Sequence, residues 1–288
     1  MELLRIDNLR KRYSSFELKD VSFSLEAGYI MGFIGPNGAG KTTTLKCMLG
    51  LVKLDGGKVQ MFGHDFFQNE LAYKQLIGVH FGGVDFYPKT QIKTITDVVS
   101  RFYENWDNTV YKSYVQRFNL DENKRLSELS GGMKIKYSLA LALSHHAKLL
   151  ILDEPTSGLD PVARNDLLTL FQETIESGEA SILFSTHITS DLENCADFIT
   201  YIENGRIIAS CEKDELIASY RLVKGTSAQL PDVKTRLIAE KTHAFGFTGL
   251  IHTNDLIDSD TVTAEEPSLD DIMIFHAKKE NRHEESAL

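Results

Sequence analysis

A stretch near the start of the chain carries the residue types of a phosphate-binding loop. Gly35 and Gly40 bracket it in the pattern G-x-x-x-x-G-K-[ST], and Lys41 and Thr42 close the pattern with a cation and a hydroxyl. The backbone N–H groups of such a loop converge on one point, where the dipole of the following helix adds positive charge. A triphosphate fits this point, with Lys41 bridging its β- and γ-phosphates and Thr42 binding Mg²⁺. The residues that we expect to contact the nucleotide are Gly35, Pro36, Asn37, Gly38, Ala39, Gly40, Lys41, Thr42 and Thr43.

Two adjacent carboxylates follow a second apolar run later in the chain. Residues 149–152 are continuously apolar, which is typical of a central parallel strand covered on both faces. Asp153 and Glu154 therefore stand at the carboxyl end of a strand, where open α/β sheets bind their ligands. Another strand of the same kind, residues 181–185, runs into His187.

The spacing of apolar residues predicts the elements that carry these groups. Residues 30–34 form a buried strand before the loop, and residues 43–50 form the helix after it. Apolar and polar residues alternate from 1 to 30, which is typical of antiparallel strands with one solvated face. Tyr13 lies between these strands, ahead of the loop, where its ring can stack on a purine. Helical periodicity dominates residues 94–145, which predicts a helical insertion.

The motifs stop at about Lys224, and the remaining residues predict a small α+β appendage. The predicted elements are a helix near 232–243, strands near 247–251 and 260–264, and a final helix opened by the capping box Ser268-x-x-Asp271. The charged end, residues 278–288, is expected to fray.

Composition narrows the class of protein. With 42% hydrophobic and 25% charged residues over 288 positions, the chain is typical of globular proteins. Its net charge of −10 argues against a nucleic-acid partner. Three scattered cysteines indicate reduced, packed thiols rather than a disulfide framework or a metal site. The N-terminus lacks the apolar core of a signal peptide, and no apolar run reaches the ~18 residues of a membrane-spanning helix, so we expect any membrane role to come through a partner.

Five features stand in a fixed order along the chain. They are the phosphate loop, Ser130-Gly131-Gly132, Asp153-Glu154, Ser157-Gly158-Leu159-Asp160, and His187. Together they resemble the ATP-binding cassette, the nucleotide-binding subunit of ABC transporters. The L-S-G-G and D-E-P-T-S-G-L-D runs are specific to that family, whereas the phosphate loop alone is shared by all P-loop nucleotidases. A short cassette with an appendage is most similar to bacterial exporter ATPases of the bacitracin-resistance and drug-export type.

The resemblance covers residues 1 to about 220 and implies an α/β fold. We expect a P-loop NTPase core with an N-terminal antiparallel β subdomain and a helical subdomain at about 84–146 that carries the signature. Residues 221–288 then form a separate accessory α+β region.

The resemblance also implies roles for the polar residues. Asp153 would hold Mg²⁺ together with Thr42, and Glu154 would act as general base on the attacking water. His187 would contact the γ-phosphate and that water, and Lys41 completes the catalytic set. ATP and Mg²⁺ are the expected cofactors.

A second phosphate site lies in the same chain. Ser130 is expected to cap a helix, with Gly131 and Gly132 allowing close approach of a phosphate. In cassettes of this kind that helix end faces the ATP of an opposite subunit, which implies a head-to-tail dimer around two ATP molecules. Asp160 would cross the same interface, and it also suits the N-cap of the helix that starts at Pro161.

One position departs from the family pattern. Cassettes usually carry a glutamine, or sometimes a glutamate, between core and helical subdomain, where it reaches Mg²⁺. Spacing places Gly82 there, with His80 and Gly83 beside it. Either a water takes its place or Gln91 enters from a longer loop. The departure affects the expected hydrolysis rate and coupling, not nucleotide binding.

The leading function is an ATPase subunit that drives a separate integral membrane permease from the cytoplasmic face of the membrane, for export. Its partners would be that permease and a second cassette, either a copy of this chain or a paralogue. One alternative is a soluble cassette ATPase in cofactor assembly or in work on nucleic acid or ribosomes. Another is a nucleotide-dependent regulator that switches without turnover.

Overall fold

A computed structural model of the chain describes residues 2–81, 87–178, 180–257 and 262–285. The chain folds into two compact units, Met1–Ser210 and Cys211–Leu288. The division falls before the predicted boundary at residue 220, because the helix Lys213–Ala218 packs against the strand Tyr220–Gly225 of the second unit. No helix within the described ranges is both long and apolar enough to cross a membrane.

The first unit contains a four-stranded antiparallel sheet. Its strands are β1 (Glu2–Arg12), β2 (Glu17–Glu26), β4 (Gly56–Met61) and β5 (His64–Asp65), in the order β2-β1-β4-β5. The alternation predicted for residues 1–30 is confirmed, since Ile6 pairs with Phe23 and both side chains are buried. The buried faces of these strands share one apolar core with the second sheet.

The second sheet positions the site. It runs in the order β10-β9-β3-β8-β7-β6, and its strands are β3 (Ile30–Ile34), β6 (Ile77–Phe81), β7 (Leu149–Asp153), β8 (Ser181–Thr186), β9 (Phe198–Glu203) and β10 (Arg206–Glu212). Strands β6, β7, β8, β3 and β9 pair in parallel, so their carboxyl ends lie along one edge. Every residue of β3, β7 and β8 is buried, as the unbroken apolar runs predict.

The helices of the first unit pack mainly against the second sheet and against one another. They are α1 (Lys41–Met48), α2 (Glu70–Lys74), α3 (Ile92–Val99), α4 (Asn108–Arg117), α5 (Gly131–Ser144), α6 (Pro161–Glu176) and α7 (Thr189–Cys195). Helix α1 packs against β7, and α6 packs against β8. The helical insertion predicted for 94–145 corresponds to α3, α4 and α5, which a buried hydrogen-bonded cluster connects: Thr96 Oγ1 lies 2.9 Å from the hydroxyls of both Tyr111 and Tyr137.

Helix α1 begins two positions before the predicted Thr43. Gly40 is its N-cap and has φ of +115°, a left-handed conformation that glycine adopts without strain. Lys41 and Thr42 therefore belong to the first helical turn, where backbone N–H groups have no partner within the helix.

The second unit is a four-stranded antiparallel sheet with helices. Its elements are α8 (Lys213–Ala218), β11 (Tyr220–Gly225), α9 (Leu230–Val233), β12 (Leu237–His243), β13 (Gly246–His252), β14 (Thr263–Glu265) and α10 (Leu269–Glu285), with strand order β12-β13-β11-β14. The capping box of α10 is confirmed: Asp271 N donates to Ser268 Oγ at 3.1 Å, and Ser268 N donates to the Asp271 carboxylate at 3.0 Å. The expected fraying of residues 278–288 stays a prediction, and residues 286–288 lie outside the described ranges.

The helix predicted near 232–243 is wrong. The four-residue helix α9 reaches only to Val233, a single 3-10 turn follows at Lys234–Arg236, and β12 occupies the rest of this stretch. Strand β12 forms a hairpin with β13, in which Glu240 pairs with Gly249 and His243 with Gly246. Pairing with β13 outweighs the apolar spacing that suggested a helix. The strand predicted near 260–264 corresponds to β14, with residues 258–261 outside the described ranges.

Candidate nucleotide-binding and catalytic site

The phosphate loop lines a cleft of about 700 Å³ at the carboxyl edge of the parallel sheet. Seven of the nine residues expected to contact nucleotide line it, namely Pro36, Asn37, Gly38, Gly40, Lys41, Thr42 and Thr43. The other two, Gly35 and Ala39, are buried and do not line the cleft. A Cβ at Gly35 would overlap the carbonyl oxygen of Ile202 on β9, so this glycine is required by close packing rather than by a phosphate.

Lys41 is buried, and its ammonium has three oxygen partners. Its Nζ donates to the carbonyl of Gly35 at 2.7 Å and lies 3.4 Å from both the carbonyl of Pro36 and Glu154 Oε1. An ammonium in this position neutralises Glu154 and stands where phosphate oxygens would enter the loop.

Glu154 follows the last residue of β7 with φ of +50°. This left-handed conformation is uncommon for a residue with a side chain and marks strained backbone, which clusters at functional sites. Its Oε2 lies 2.8 Å from Nδ1 of His187, at the end of β8. Lys41, Glu154 and His187 thus form a continuous chain of polar contacts across the cleft, and their catalytic roles stay a prediction.

Asp153 accepts two hydroxyl hydrogen bonds. Thr42 Oγ1 donates to Asp153 Oδ2 at 2.8 Å, and Ser185 Oγ donates to Asp153 Oδ1 at 2.6 Å. Asp153 and Ser185 are partners in the register of β7 and β8, which is why two residues so distant in sequence meet. The pair expected to bind metal, Thr42 and Asp153, is therefore brought together.

The signature residues stand apart from this cleft. Ser130 caps α5 by accepting a hydrogen bond from Met133 N at 3.3 Å, as expected. Ser130 and Gly131 are exposed, and neither they nor Gly132 lines the cleft. A Cβ added at Gly131 or Gly132 would lie within ordinary contact of Leu159, at 3.5 and 3.6 Å. The signature glycines and the segment that ends at Asp160 therefore lie next to each other.

Asp160 is the N-cap of α6, as its position before Pro161 suggests. Its Oδ1 accepts from the N–H groups of Ala163 and Val162, both at 3.0 Å. These hydrogen bonds, that of Ala163 foremost, lower the pKa of the Asp160 carboxyl. The side chain is exposed and does not line the cleft, so an interfacial role stays a prediction.

Tyr13 does not line the cleft. Its ring is 45% exposed and lies 5.5 Å from Lys11 Nζ, so purine stacking by Tyr13 stays a prediction. Its N–H donates to the carbonyl of Phe16 at 2.7 Å, which closes the turn between β1 and β2. Phe16 and Ser15 in that turn do line the cleft, and the sequence reasoning missed both.

Gly82 and Gly83 lie outside the described residues. Gln91 is exposed, precedes α3, and forms a backbone bridge with Arg125. His80 Nδ1 lies 3.1 Å from Ser138 Oγ. Neither Gln91 nor His80 lines the nucleotide cleft.

Comparisons with known proteins all find ATP-binding proteins of ABC transporters. The family model described as ABC transporter matches residues 18–157. The chain is similar to Nod factor export ATP-binding protein I of Ralstonia nicotianae, at 32% identity over 88% of this chain and 82% of the relative. It is also similar to bacitracin transport ATP-binding protein BcrA of Bacillus licheniformis, at 30% identity over 84% and 79%. A solved structure of an ATP-binding subunit of an ABC transporter superposes with a TM-score of 0.67 and 28% identity, over 74% of this chain and 91% of that one.

Proposed function

This chain belongs to the ATP-binding subunits of ABC transporters, which hydrolyse ATP to power transport, and we propose that it does so as a head-to-tail dimer with one composite site at each phosphate loop. The observation that carries the catalytic part is the contact chain Lys41–Glu154–His187 beside the Thr42–Asp153 pair, at one sheet edge. Transport names of the relatives support this function over cofactor assembly or work on nucleic acid.

Lys41 would bind the β- and γ-phosphates. Its ammonium already sits among oxygens, 2.7 Å from the carbonyl of Gly35 and 3.4 Å from Glu154. Phosphate oxygens entering the loop compete with Glu154 for this cation, because charge-assisted hydrogen bonds to phosphate are strong. Nucleotide binding would therefore release the Glu154 carboxylate from Lys41 and leave it paired with His187.

The donor set at Thr42 and Asp153 fits Mg²⁺. Asp153 is 6% exposed. Among the described residues, Lys41 and His187 form their ion pairs with Glu154 and not with Asp153. No cluster of three His, Cys, Asp or Glu occurs among the described residues. Mg²⁺ does not need one, because it is commonly held by one or two carboxylates plus substrate phosphates. When bound, the ion would neutralise charge on the β- and γ-phosphates. Thr42 and Asp153 would hold it.

Glu154 would take the proton of the attacking water, and His187 would orient the Glu154 carboxylate and contact the γ-phosphate. Glu154 Oε2 and His187 Nδ1 are already within hydrogen-bond distance at 2.8 Å. Glu154→Gln keeps the size of the side chain and removes its charge. We expect ATP binding to be retained and turnover to fall by about 10² to 10⁴, the usual contribution of a general base.

Glu173→Gln is the matched control, because it makes the same change on the exposed surface of α6, where Glu173 pairs with Arg117. Phosphate release under multiple turnover and binding of radiolabelled ATP are measured for both variants. An unaltered rate in Glu154→Gln would refute the assignment of the base. Lys41→Ala should instead weaken nucleotide binding itself.

The exposure of Ser130 and Gly131 supports the dimer. Their helix end is a phosphate-binding surface outside the cleft of its own chain, so a second subunit would bring ATP to it. Asp160 lies near that surface, next to Leu159, which approaches both signature glycines.

Two disabled chains test this arrangement when mixed. Lys41→Ala removes the cation of the phosphate loop, and Gly131→Asp places a carboxylate on the signature surface, where an added Cβ meets only Leu159 at 3.5 Å. Both changes are made in Glu154→Gln protein so that bound ATP is not hydrolysed. We expect neither variant alone to dimerise with ATP, whereas their mixture retains one intact composite site and forms a dimer on size-exclusion chromatography with light scattering. A mixture that stays monomeric would contradict the head-to-tail arrangement.

A membrane subunit would dock on an apolar groove of the first unit. The groove has a volume of about 610 Å³ and is lined mainly by aliphatic and aromatic side chains, including Leu51, Val79, Phe81 and Tyr87. Leu51 is 56% exposed and Tyr87 is 73% exposed, so an apolar helix of the permease would cover them. Phe81 is paired with Asp153 in the sheet, which connects the groove to the residue proposed to bind metal.

The proposed location is the cytoplasmic face of the membrane, where ATP is supplied, and export is the proposed direction because one relative is named for export. Purification of the native protein from detergent-solubilised membranes should recover an integral membrane protein with it. Leu51→Glu should lose that partner and keep ATP binding. Recovery of a soluble scaffold complex instead would favour the assembly function.

A further inference from the structure

The hydroxyl of Ser185 connects the two carboxylates of the site. Its Oγ donates to Asp153 Oδ1 at 2.6 Å and accepts from the backbone N–H of Glu154 at 3.1 Å. Ser185 is fully buried in β8, and its carbonyl oxygen also accepts from Glu154 N at 3.1 Å. One residue therefore contacts both the side chain of Asp153 and the backbone that carries Glu154.

The hydrogen bond from Ser185 fixes the orientation of the Asp153 carboxylate. Ser185 donates to Oδ1 at 2.6 Å, while the hydroxyl of Thr42 lies 2.8 Å from Oδ2 and 3.1 Å from Oδ1. Because Thr42 uses its proton on Asp153, the lone pairs of its own oxygen stay available as ligands. Rotation of the Asp153 carboxylate would break the bond to Ser185, so the serine holds the carboxylate plane in place.

The same serine stabilises the bend after β7. Glu154 has φ of +50°, a strained conformation for a residue with a side chain, and such strain persists only when surrounding contacts hold it. Its N–H is held by both acceptors of Ser185. The bend begins where Asp153 pairs with Ser185 in the parallel register, so the serine fixes the direction in which the chain leaves the strand.

We infer that Ser185 is a positioning residue for the metal ion and for the catalytic carboxylate. It orients Asp153 and fixes the backbone of Glu154, and it is fully buried and does not line the nucleotide cleft. The inference rests on the proposed metal site at Thr42 and Asp153. Ser185 lies two residues before His187. The side chains of Asp153, Ser185 and His187 therefore stand at the ends of two adjacent strands, β7 and β8.

Three substitutions of Ser185 distinguish the effect of its hydroxyl group from the effect of its side-chain volume. Ser185→Ala removes the hydroxyl, Ser185→Cys retains its size with only a weak donor, and Ser185→Thr retains the hydroxyl on a residue that suits strands. Ser181→Ala is the matched control, because Ser181 is a buried serine of the same strand whose Oγ accepts from Gly28 N at 2.7 Å, away from the site.

The measurements use Mn²⁺ as the metal probe. ATP affinity is measured in EDTA with a fluorescent ATP analogue, the Mn²⁺ concentration for half-maximal ATPase rate is determined, and the Mn²⁺ EPR spectrum of the protein with ATP is recorded. For Ser185→Ala and Ser185→Cys we expect unchanged ATP affinity in EDTA, an altered spectrum, and a Mn²⁺ requirement raised about 10- to 100-fold, the usual effect of losing a residue that orients a metal ligand. Ser185→Thr should restore both readouts, and Ser181→Ala should match the wild type.

Two results would overturn the inference. One is a Ser185→Ala protein with the wild-type Mn²⁺ requirement and spectrum. The other is a Ser185→Thr protein that binds ATP in EDTA but is as impaired toward Mn²⁺ as the alanine variant, which would indicate packing alone. If the wild-type protein leaves the EPR spectrum of Mn²⁺ with ATP unchanged, the proposed metal site fails and the cause is distinct from Ser185.

Discussion

His145 is expected to make the first unit less stable in mild acid. The side chain is 3% exposed, its ring stacks on Tyr103 with centroids 3.7 Å apart, and its Nδ1 lies 3.1 Å from the carbonyl oxygen of Gln75. Burial lowers the pKa of His145 from 6.5 to about 4. Between these two values the unfolded chain binds a proton at this site and the folded chain does not. The stability present above pH 6.5 is therefore lost as the pH falls through this window.

The size of the effect follows from the pKa difference. One pKa unit corresponds to about 1.4 kcal/mol. Protonation of His145 in the unfolded chain therefore lowers the free energy of unfolding by about 2 kcal/mol between pH 7 and pH 5, and by about 3 kcal/mol at lower pH. His145→Phe retains a ring against Tyr103 and removes the titrating group. We expect the free energy of unfolding of this variant to change less with pH than that of the wild type, by about these amounts.

The chain's one tryptophan, Trp106, offers the assay. Trp106 and His145 line the same cavity of about 450 Å³, so urea unfolding followed by Trp106 fluorescence reports on this part of the first unit. His146→Asn is the control, since His146 is exposed and its φ of +58° suits asparagine. Equal pH slopes in the wild type and His145→Phe would refute the reasoning, as would an NMR titration of His145 centred near pH 6.5.

Three further substitutions test buried packing, two in the first unit and one in the second. Gly35→Ala should destabilise the first unit by about 1 to 3 kcal/mol and weaken ATP binding, since its Cβ would displace the carbonyl of Ile202; a calorimetric melt and an ATP titration check both. Thr96→Val should cost about 1 to 3 kcal/mol in urea unfolding, because two buried tyrosine hydroxyls lose a partner, whereas Thr96→Ser should cost less. Ile272→Ala should destabilise the second unit by about 2 to 5 kcal/mol, because this buried side chain of α10 leaves a cavity; unchanged ATP affinity is expected, and an unchanged melt would contradict the packing.

Much of the site could be predicted because its residues end strands or begin helices. The phosphate loop, Asp153 and His187 each follow an apolar run, and parallel strands bring their carboxyl ends to one edge regardless of the distance between them in sequence. The N-cap roles of Ser130 and Asp160 were also predictable, since Gly131 and Pro161 follow them directly.

Other features depend on tertiary packing that local patterns do not contain. Phe16 reaches the cleft because a hydrogen bond from Tyr13 closes the turn between β1 and β2, and aromatic type alone favoured Tyr13. Gly35 fits the phosphate-loop pattern, yet its requirement comes from β9, a strand far away in sequence. The residues of β12 were predicted as a helix because their apolar spacing, taken alone, does not show that they pair with β13 in a hairpin.

Ser185 contacts both carboxylate residues of the site, although it belongs to none of the sequence motifs. In sequence it is one polar residue at the end of an apolar strand, and its spacing from Asp153 or Glu154 carries no signal. Two adjacent parallel strands that end together give the signal instead: a residue two positions before His187 must lie beside Asp153 in the register. A buried carboxylate is stabilised by hydrogen-bond donors, and Asp153 receives one from Thr42 at the phosphate loop and one from Ser185 on β8. The surroundings of Asp153 therefore depend on β8 as well as on the phosphate loop.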